Sequence, residues 1–345
     1  MNTDKRKYRT NALCTSHFAL CTVFLFFFGC TERQIRVHFE NAARHRAQGH
    51  IDSAMAEYHT ILKLNPNTAD AANALGSLYT EKGDYQKAVT YYHQALINDN
   101  KADIHYNLGL AYTALGLTDS ALASHQRVIA LDPKNSEAHN ALGTVYVSQG
   151  HIDKAFNSYR QAIEHNPKNA DAYLNIGLIY AAQGKFQDAI QHYRNAIQYR
   201  PTFASAHNNL GSTYAEQGLY DLAIQHFEQA LKLVPQYTLA RNNLTHAKTL
   251  KQSRESGEMR ARHILVDTES EAQNVLQKLK AGATFESLAR LHSRDPSGQT
   301  GGDLGGFMPG DLMPQFEQAV KNIAPGKIDG PIKTPAGYHI IERIY

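Results

Sequence analysis

The C-terminal quarter of the chain holds His263, Asp295 and His339, three side chains that could perform acid–base chemistry. An Asp–His pair is typical of hydrolases, but no serine in a nucleophile-elbow context accompanies this one. A glycine-rich run lies nearby at 301–306. Its order is not GxGxxG and no Lys-Ser or Lys-Thr follows it, which excludes a phosphate-binding loop. The chemistry of this region is therefore of another kind.

Five separated motifs in this quarter resemble, in order and spacing, the parvulin-type peptidyl-prolyl cis-trans isomerases. The motifs are Ala261-Arg262-His263-Ile264-Leu265-Val266, Ser293-Arg294-Asp295, Gly301-Gly302-Asp303-Leu304-Gly305-Gly306-Phe307, Phe316-Glu317 and Gly337-Tyr338-His339-Ile340-Ile341. The resemblance covers about residues 258–345. It implies an isomerase that acts on X-Pro bonds and needs no cofactor.

The resemblance also implies roles for individual residues. The polar network beside the target amide is His263, Asp295, Thr334 and His339, and the apolar pocket for the prolyl ring is Phe307, Leu312 and Phe316. Ordinary core packing is the alternative for the apolar residues, and a purely structural hydrogen-bonded trio is the alternative for the network. Members of the family that recognise phosphoserine-proline carry a basic cluster after the first strand. This chain has Asp267, Glu269 and Glu271 there, so we do not expect that specificity.

Isomerisation requires rotation about a peptide bond, whose barrier is about 18–20 kcal/mol because the C–N bond has partial double-bond character. No covalent bond breaks. An apolar pocket that grips the prolyl ring and excludes water disfavours the charge-separated planar amide. Tighter binding of the twisted amide than of either planar form then lowers the barrier. We expect the polar network to tune the polarity near the carbonyl group.

The hydrophobic pattern predicts a small α+β domain over 260–345, which the resemblance implies has an antiparallel four-stranded sheet. The predicted elements are a strand at 262–266, helices over 269–281 and 284–292, a short strand in the glycine-rich stretch, a helix over about 313–322 and strands near 327–334 and 338–345. The polar residues 253–259 separate this domain from the preceding part of the chain and are predicted as a linker.

The preceding residues contain an internal repeat. Glycines recur at spacings of 33, 34, 34 and 34 residues: Gly76, Gly109, Gly143, Gly177 and Gly211. Seven residues later in each unit stands a second glycine, predicted to end a helix in the left-handed conformation: Gly49, Gly83, Gly116, Gly150, Gly184 and Gly218. The pattern resembles the tetratricopeptide repeat, with six copies over 35–237 and a capping helix over 238–252. It implies an all-α superhelical solenoid with a concave groove.

Four asparagines occupy the same phase of the repeat pattern, which Ala74 and Ala141 interrupt: Asn107, Asn175, Asn209 and Asn243. In some members of the family such asparagines bind the backbone of an extended peptide, and an amide can both donate and accept a hydrogen bond. The alternative is that they are solvated polar positions on a helix face. Fourteen of the eighteen histidines also lie in the repeats and the capping helix, but their scatter shows no metal-binding signature. We expect a protein partner in this groove and no metal.

The N-terminal residues 1–29 have a basic start and an apolar run, which is the anatomy of a signal peptide. The residues before Cys30 resemble a bacterial lipobox, which implies that Cys30 is lipidated. Thr31 then suggests, by resemblance to Gram-negative lipoproteins, the periplasmic face of the outer membrane. The alternative is an uncleaved anchor over 12–29. No cysteine follows Cys30, which excludes a later disulfide or thiolate site.

Charge narrows the possible partners. The formal net charge is +3, and residues 1–29 account for all of it, which leaves 31 basic and 31 acidic residues. Because basic and acidic residues are equal in number there, the charge gives no reason to expect nucleic acid as a partner. The sequence therefore predicts a membrane-tethered, extracytoplasmic isomerase and folding factor that acts on proline-containing clients. One alternative is a non-catalytic chaperone or scaffold; another is a repeat domain that recruits an envelope complex, with the isomerase incidental.

Overall fold

The computed structural model describes residues 31–345, and the contacts divide the chain into two units after Arg200. The first unit consists of antiparallel helical pairs. Its helices are α1 (31–47), α2 (Ile51–Leu64), α3 (Ala69–Glu81), α4 (Tyr85–Asn98), α5 (Ala102–Ala114), α6 (Thr118–Leu131), α7 (Ser136–Ser148), α8 (Ile152–His165), α9 (Ala170–Ala182) and α10 (Phe186–Tyr199). The predicted signal peptide and Cys30 lie outside the described residues. Within 31–345, no helix combines the length and the apolar character needed to cross a membrane.

The turn inside each helical pair has the predicted left-handed glycine. The φ angles of the six glycines from Gly49 to Gly218 lie between 71° and 76°. Any residue that has a Cβ atom is strained at such angles, because the Cβ approaches the backbone. The prediction of helix-ending glycines is confirmed.

A second glycine, present in five of the six repeats, allows the two helices of the repeat to pack closely. A Cβ placed on Gly143 in α7 would lie 2.5 Å from the ring of Tyr159 in α8, and one on Gly177 would lie 2.6 Å from Tyr193. These rings are buried among small and branched side chains. The regular glycine spacing in the sequence therefore reflects a close contact between the two helices of a repeat, and this contact recurs along the chain.

The second unit, Pro201–Tyr345, begins with one further helical pair and ends in an α+β domain. Its elements are α11 (Ala204–Glu216), α12 (Tyr220–Leu233), α13 (Thr238–Ser256), β1 (Met259–Val266), α14 (Glu269–Lys280), α15 (Phe285–His292), a 3₁₀ helix (Pro296–Thr300), β2 (Asp303–Phe307), α16 (Pro314–Asn322), β3 (Ile328–Thr334) and β4 (Gly337–Arg343). The strands form one antiparallel sheet in the order β2-β1-β4-β3. The predicted fold class is confirmed.

Alternation along the central strands gives the sheet two different faces. The even-numbered residues Ile264, Val266 and Ile340 pack with α14 and α15 in one apolar cluster. The odd-numbered residues Met259, Ala261 and Ile341 pack with α16 in another. Successive side chains of a strand point to opposite faces, so His263, Leu265 and His339 belong to the α16 face. The α16 face of the sheet therefore carries the two candidate catalytic histidines.

The polar stretch 253–259 differs from its prediction as a linker. Helix α13 continues to Ser256 and β1 begins at Met259, which leaves only Gly257 and Glu258 between them. Gly257 is left-handed, with a φ of 74°, and Ser253 is buried. The loss of repeat phase in the sequence marks the end of the repeats, whereas the helix itself ends only where a glycine permits the left-handed turn.

Candidate active site

The register of β1 and β4 brings the two histidines of the C-terminal domain together. Leu265 pairs directly with His339, and His263 pairs with Ile341, so the two histidines are diagonal neighbours on one face. Their rings stack at 25° with centroids 5.2 Å apart, and their Nδ1 atoms are 3.0 Å apart. Both side chains are buried.

A chain of polar contacts extends from this pair in both directions. The Nε2 of His339 is 2.7 Å from the Oγ1 of Thr334, and that hydroxyl oxygen also accepts a hydrogen bond from the Ala336 amide. On the other side, the Nε2 of His263 is 3.2 Å from a carboxylate oxygen of Asp295. The angle there is poor for a hydrogen bond, so this contact is chiefly electrostatic.

The environment shifts the pKa of two members of this network, His339 and Asp295. Burial, with a smaller effect of the neighbouring His263, lowers the pKa of His339 to about 4, although Asp295 acts in the opposite direction. Partial burial acts to raise the pKa of Asp295, but the hydrogen bonds from Ser297 and the contact with His263 outweigh it and hold that pKa below its usual range. At neutral pH, His339 is therefore a neutral imidazole and Asp295 a carboxylate.

Local structure fixes the position of Asp295. Its carboxylate accepts a hydrogen bond from the Ser297 amide at 2.9 Å and so caps the 3₁₀ helix, in which Pro296 occupies the first position. The preceding segment is attached to β1, because the Oγ of Ser293 accepts hydrogen bonds from the amides of Leu265 and Asp295. The Ser-Arg-Asp motif thus binds one strand and aims a carboxylate at the histidine pair.

A cavity of about 180 Å³ lies over this network and is mainly apolar. It is lined by His263, Leu265, Asp295, Leu304, Leu312, Met313, Phe316, Ala336 and His339. The edge of the Phe316 ring meets both histidines, at centroid distances of 5.5 Å and 5.2 Å. One wall of the cavity is therefore polar and titratable, and the others are apolar.

Two of the residues assigned from the sequence are not in the cavity wall. Phe307 pairs with Met259, four residues along β1 from His263 and so about 13 Å away along the strand. It is buried in the apolar cluster behind Phe316 and does not line the cavity. Thr334 also lies behind the wall, where it contacts His339. The expected pocket therefore contains Leu312 and Phe316 but not Phe307.

Four cavity residues did not follow from the sequence: Leu265, Leu304, Met313 and Ala336. The signal for Leu265 was present, because it lies two residues after His263 on the same strand. Leu304 and Met313 come from loops and a strand whose pairing is set by distant parts of the chain.

Three of the four repeat asparagines contact an equivalent helix, and the fourth, Asn209, contacts its neighbour in the same helix. Asn175 donates to the side-chain oxygen of Asn140 at 3.0 Å, and Asn107 donates to Asn73 at 3.4 Å. In the second unit, Asn243 donates to Asn208 at 3.0 Å, and Asn209 accepts from Asn208 at 3.3 Å. All four are only partly buried.

Comparison with protein families agrees with this architecture. Residues 257–344 match the PPIC-type PPIASE domain, also called rotamase. Tetratricopeptide-repeat families match at 76–116, 102–135, 126–156, 143–184, 177–218 and 204–237. The chain thus carries tetratricopeptide repeats followed by a parvulin-type peptidyl-prolyl isomerase domain, and both predicted resemblances are confirmed.

Curated proteins that are similar to this chain match about a quarter of it. Chaperone SurA of Nitrosospira multiformis is 43% identical over 93 residues, which cover 24% of this chain and 21% of SurA. Foldase protein PrsA 2 of Bacillus anthracis is 46% identical over 86 residues, which cover 25% of this chain and 30% of PrsA 2. The chain therefore spans less than a third of the length of either relative.

Among solved structures, the protein described as Pseudomonas aeruginosa pilF superposes with a TM-score of 0.53. The identity is 17%, and the match covers 61% of this chain and 97% of that chain. A likeness at this identity concerns the fold alone.

Proposed function

We propose that this protein is a membrane-tethered, extracytoplasmic peptidyl-prolyl isomerase that assists the folding of proline-containing clients. The observation that supports the isomerase most directly is the apolar cavity closed on one side by the His263, His339 and Asp295 network. The names of the two relatives, a chaperone and a foldase, agree with a role in protein folding.

In this proposal the prolyl ring enters the cavity between Leu312 and Phe316. The ring displaces water, which disfavours the charge-separated planar amide relative to the twisted one. The Asp295 carboxylate, His263 and the neutral imidazole of His339 then face the rotating amide. They move no proton and form no bond, and they supply an electrostatic environment that is already oriented before rotation begins.

The repeat asparagines are proposed to bind an extended segment of the client or partner. Asn107, Asn175 and Asn243 each use an N–H of the side-chain amide in a contact between helices. The side-chain nitrogen of Asn243 also donates to Ser212 at 3.4 Å. Asn107 and Asn175 keep a second N–H, and all three keep a carbonyl oxygen that can accept from a peptide backbone. Pull-down with residues 31–252 tests this role, and loss of capture in an Asn107→Ala, Asn175→Ala variant would support it.

Tethering is proposed through lipidation of Cys30, which raises the local concentration of client. Incorporation of radiolabelled palmitate into the wild-type chain, and its loss in Cys30→Ala, would support the lipid anchor. Membrane association that persists without the label would support the N-terminal anchor instead.

Isomerase activity is tested on the full chain with a protease-coupled proline-peptide assay. We expect turnover above the uncatalysed reaction, which takes about 10–100 s at 25 °C. Asp295→Ala should lower kcat/KM about tenfold, because it removes an oriented charge beside the rotating amide, and tenfold corresponds to about 1.4 kcal/mol of transition-state stabilisation. The matched variant Asp329→Ala removes an exposed carboxylate on β3 and should not change kcat/KM. Turnover at the background rate would instead favour the non-catalytic chaperone, which suppression of client aggregation would detect.

The pKa of His339 also predicts the pH profile. An ordinary histidine titrates near pH 6.5, and its protonation would reduce a reaction that needs the neutral form about tenfold by pH 5.5. Because the pKa of His339 is about 4, we expect kcat/KM to stay constant from pH 8 to about 5 and to fall only near pH 4. A decline centred near pH 6.5 would contradict the lowered pKa of His339.

A further inference from the structure

Glu317 is a buried carboxylate that the proposed chemistry does not use. It lies on α16, one residue after Phe316, and only 6% of it is exposed. Within residues 31–345 no salt bridge includes it. A carboxylate buried without a cation must be stabilised by hydrogen bonds, since an unpaired charge away from water is strongly unfavourable.

Three hydrogen bonds from the backbone supply that stabilisation. The Gly310 amide donates to Oε1 at 2.8 Å and to Oε2 at 3.0 Å, and the Leu312 amide donates to Oε1 at 2.9 Å. Gly310 has a φ of 101°, a conformation that favours glycine, so its N–H can point at the helix. The carboxylate therefore holds a turn of backbone that contains no regular structure.

The segment 308–313, which we call the pocket loop, is the part held in this way. It supplies Leu312 and Met313 to the cavity wall, whereas α16 supplies Phe316. Glu317 is the side chain that joins the two, because it is on the helix and its hydrogen-bond partners are on the loop. The width of the cavity between Leu312 and Phe316 depends on this connection.

We propose that Glu317 is a positioning residue for isomerisation, which holds the pocket loop so that Leu312 and Met313 are in place before the prolyl ring binds. The inference rests on the proposed function. A loop already ordered in the free protein does not lose its conformational freedom on binding, so the contribution of Glu317 is to substrate binding more than to the rotation itself.

The experiment compares Glu317→Ala with Glu317→Gln in the full chain. The alanine variant should raise KM about tenfold with little change in kcat. The glutamine variant should raise KM less than the alanine variant does. Its carbonyl oxygen can occupy the Oε1 position and accept from both Gly310 and Leu312, whereas its NH2 group cannot accept the third hydrogen bond. Val320→Ala, which truncates a buried residue one turn along the same helix, controls for stability and should leave KM unchanged when assayed well below its melting temperature.

The outcomes separate this proposal from the one on which it rests. An inactive wild type would overturn the proposed function. An active wild type with unchanged KM in a folded Glu317→Ala variant would overturn the role of Glu317 alone, as would equal losses in Glu317→Ala and Val320→Ala. If Glu317→Ala does not fold, amide hydrogen exchange of the wild type decides: Gly310 and Leu312 should exchange at least tenfold slower than unprotected amides, and unprotected exchange would contradict the proposal.

Discussion

Leu312→Asp is expected to lower kcat/KM for a proline peptide roughly 100-fold. Leu312 lines the cavity opposite the histidine pair and is only half-buried, so the substitution does not remove a core residue. A carboxylate at this position would face the prolyl ring and lose water when the ring binds, without a cation to pair with. A penalty of about 3 kcal/mol for burying such a group corresponds to roughly two orders of magnitude in rate.

The matched control for this substitution is Leu291→Asp. Leu291 is on α15 in the same domain, is 72% exposed and does not line the cavity. Leu291→Asp therefore introduces the same charge and removes the same apolar side chain at a position that does not contact the substrate. We expect its kcat/KM to equal that of the wild type. Wild-type kcat/KM in a folded Leu312→Asp variant would show that the prolyl ring binds elsewhere.

The second large effect concerns His125, in the first unit of the chain. Equivalent positions of the other repeats hold the buried rings of Tyr92, Tyr159, Tyr193 and Phe227, each beside the close-packing glycine of its repeat. His125 is fully buried, and neither ring nitrogen has a hydrogen-bond partner. An unsatisfied buried polar group costs about 1–3 kcal/mol. We therefore expect His125→Tyr to stabilise this unit.

Burial also lowers the pKa of His125 to about 4. In the unfolded chain the ordinary value near 6.5 applies, so between pH 6.5 and 4 the unfolded state takes up a proton that the folded state does not. Stability contributed by the neutral imidazole is complete above pH 6.5 and falls as the pH decreases towards 4. The free energy of unfolding of the wild type decreases by about 3 kcal/mol over this pH range. His125→Tyr should abolish this decrease.

Urea unfolding of both proteins at pH 7 and at pH 4.5 measures the effect. The free energy of unfolding of His125→Tyr should exceed that of the wild type at pH 7, and the excess should be larger at pH 4.5. His151→Tyr is the control, because His151 is exposed before α8 and its side chain makes no capping hydrogen bond. That variant should differ from wild type by less than about 0.5 kcal/mol at either pH. A constant difference for His125→Tyr would contradict the assignment of a buried, neutral histidine.

The repeats illustrate how much of this fold is a local property of the sequence. The glycines at the turns, such as Gly83 and Gly150, could be recognised because a left-handed residue is required at a fixed distance from the helix that it ends. The strand at His263 and Leu265 and the helix starting after Thr284 could be recognised for the same reason, since alternation and capping involve neighbours in the chain. Residue roles in the C-terminal domain came from family resemblance rather than from such local rules.

The sequence by itself therefore determined the repeat architecture, the α+β character of the C-terminal domain and the residue types available for chemistry. Tertiary structure decided which of them meet. His263 and His339 are 76 residues apart, and only the register of β1 with β4 places their rings in contact. The pairing of β2 with β1 in turn places Phe307 in the core and Leu304 at the cavity. These outcomes depend on contacts between distant segments, and no periodicity along the chain encodes them.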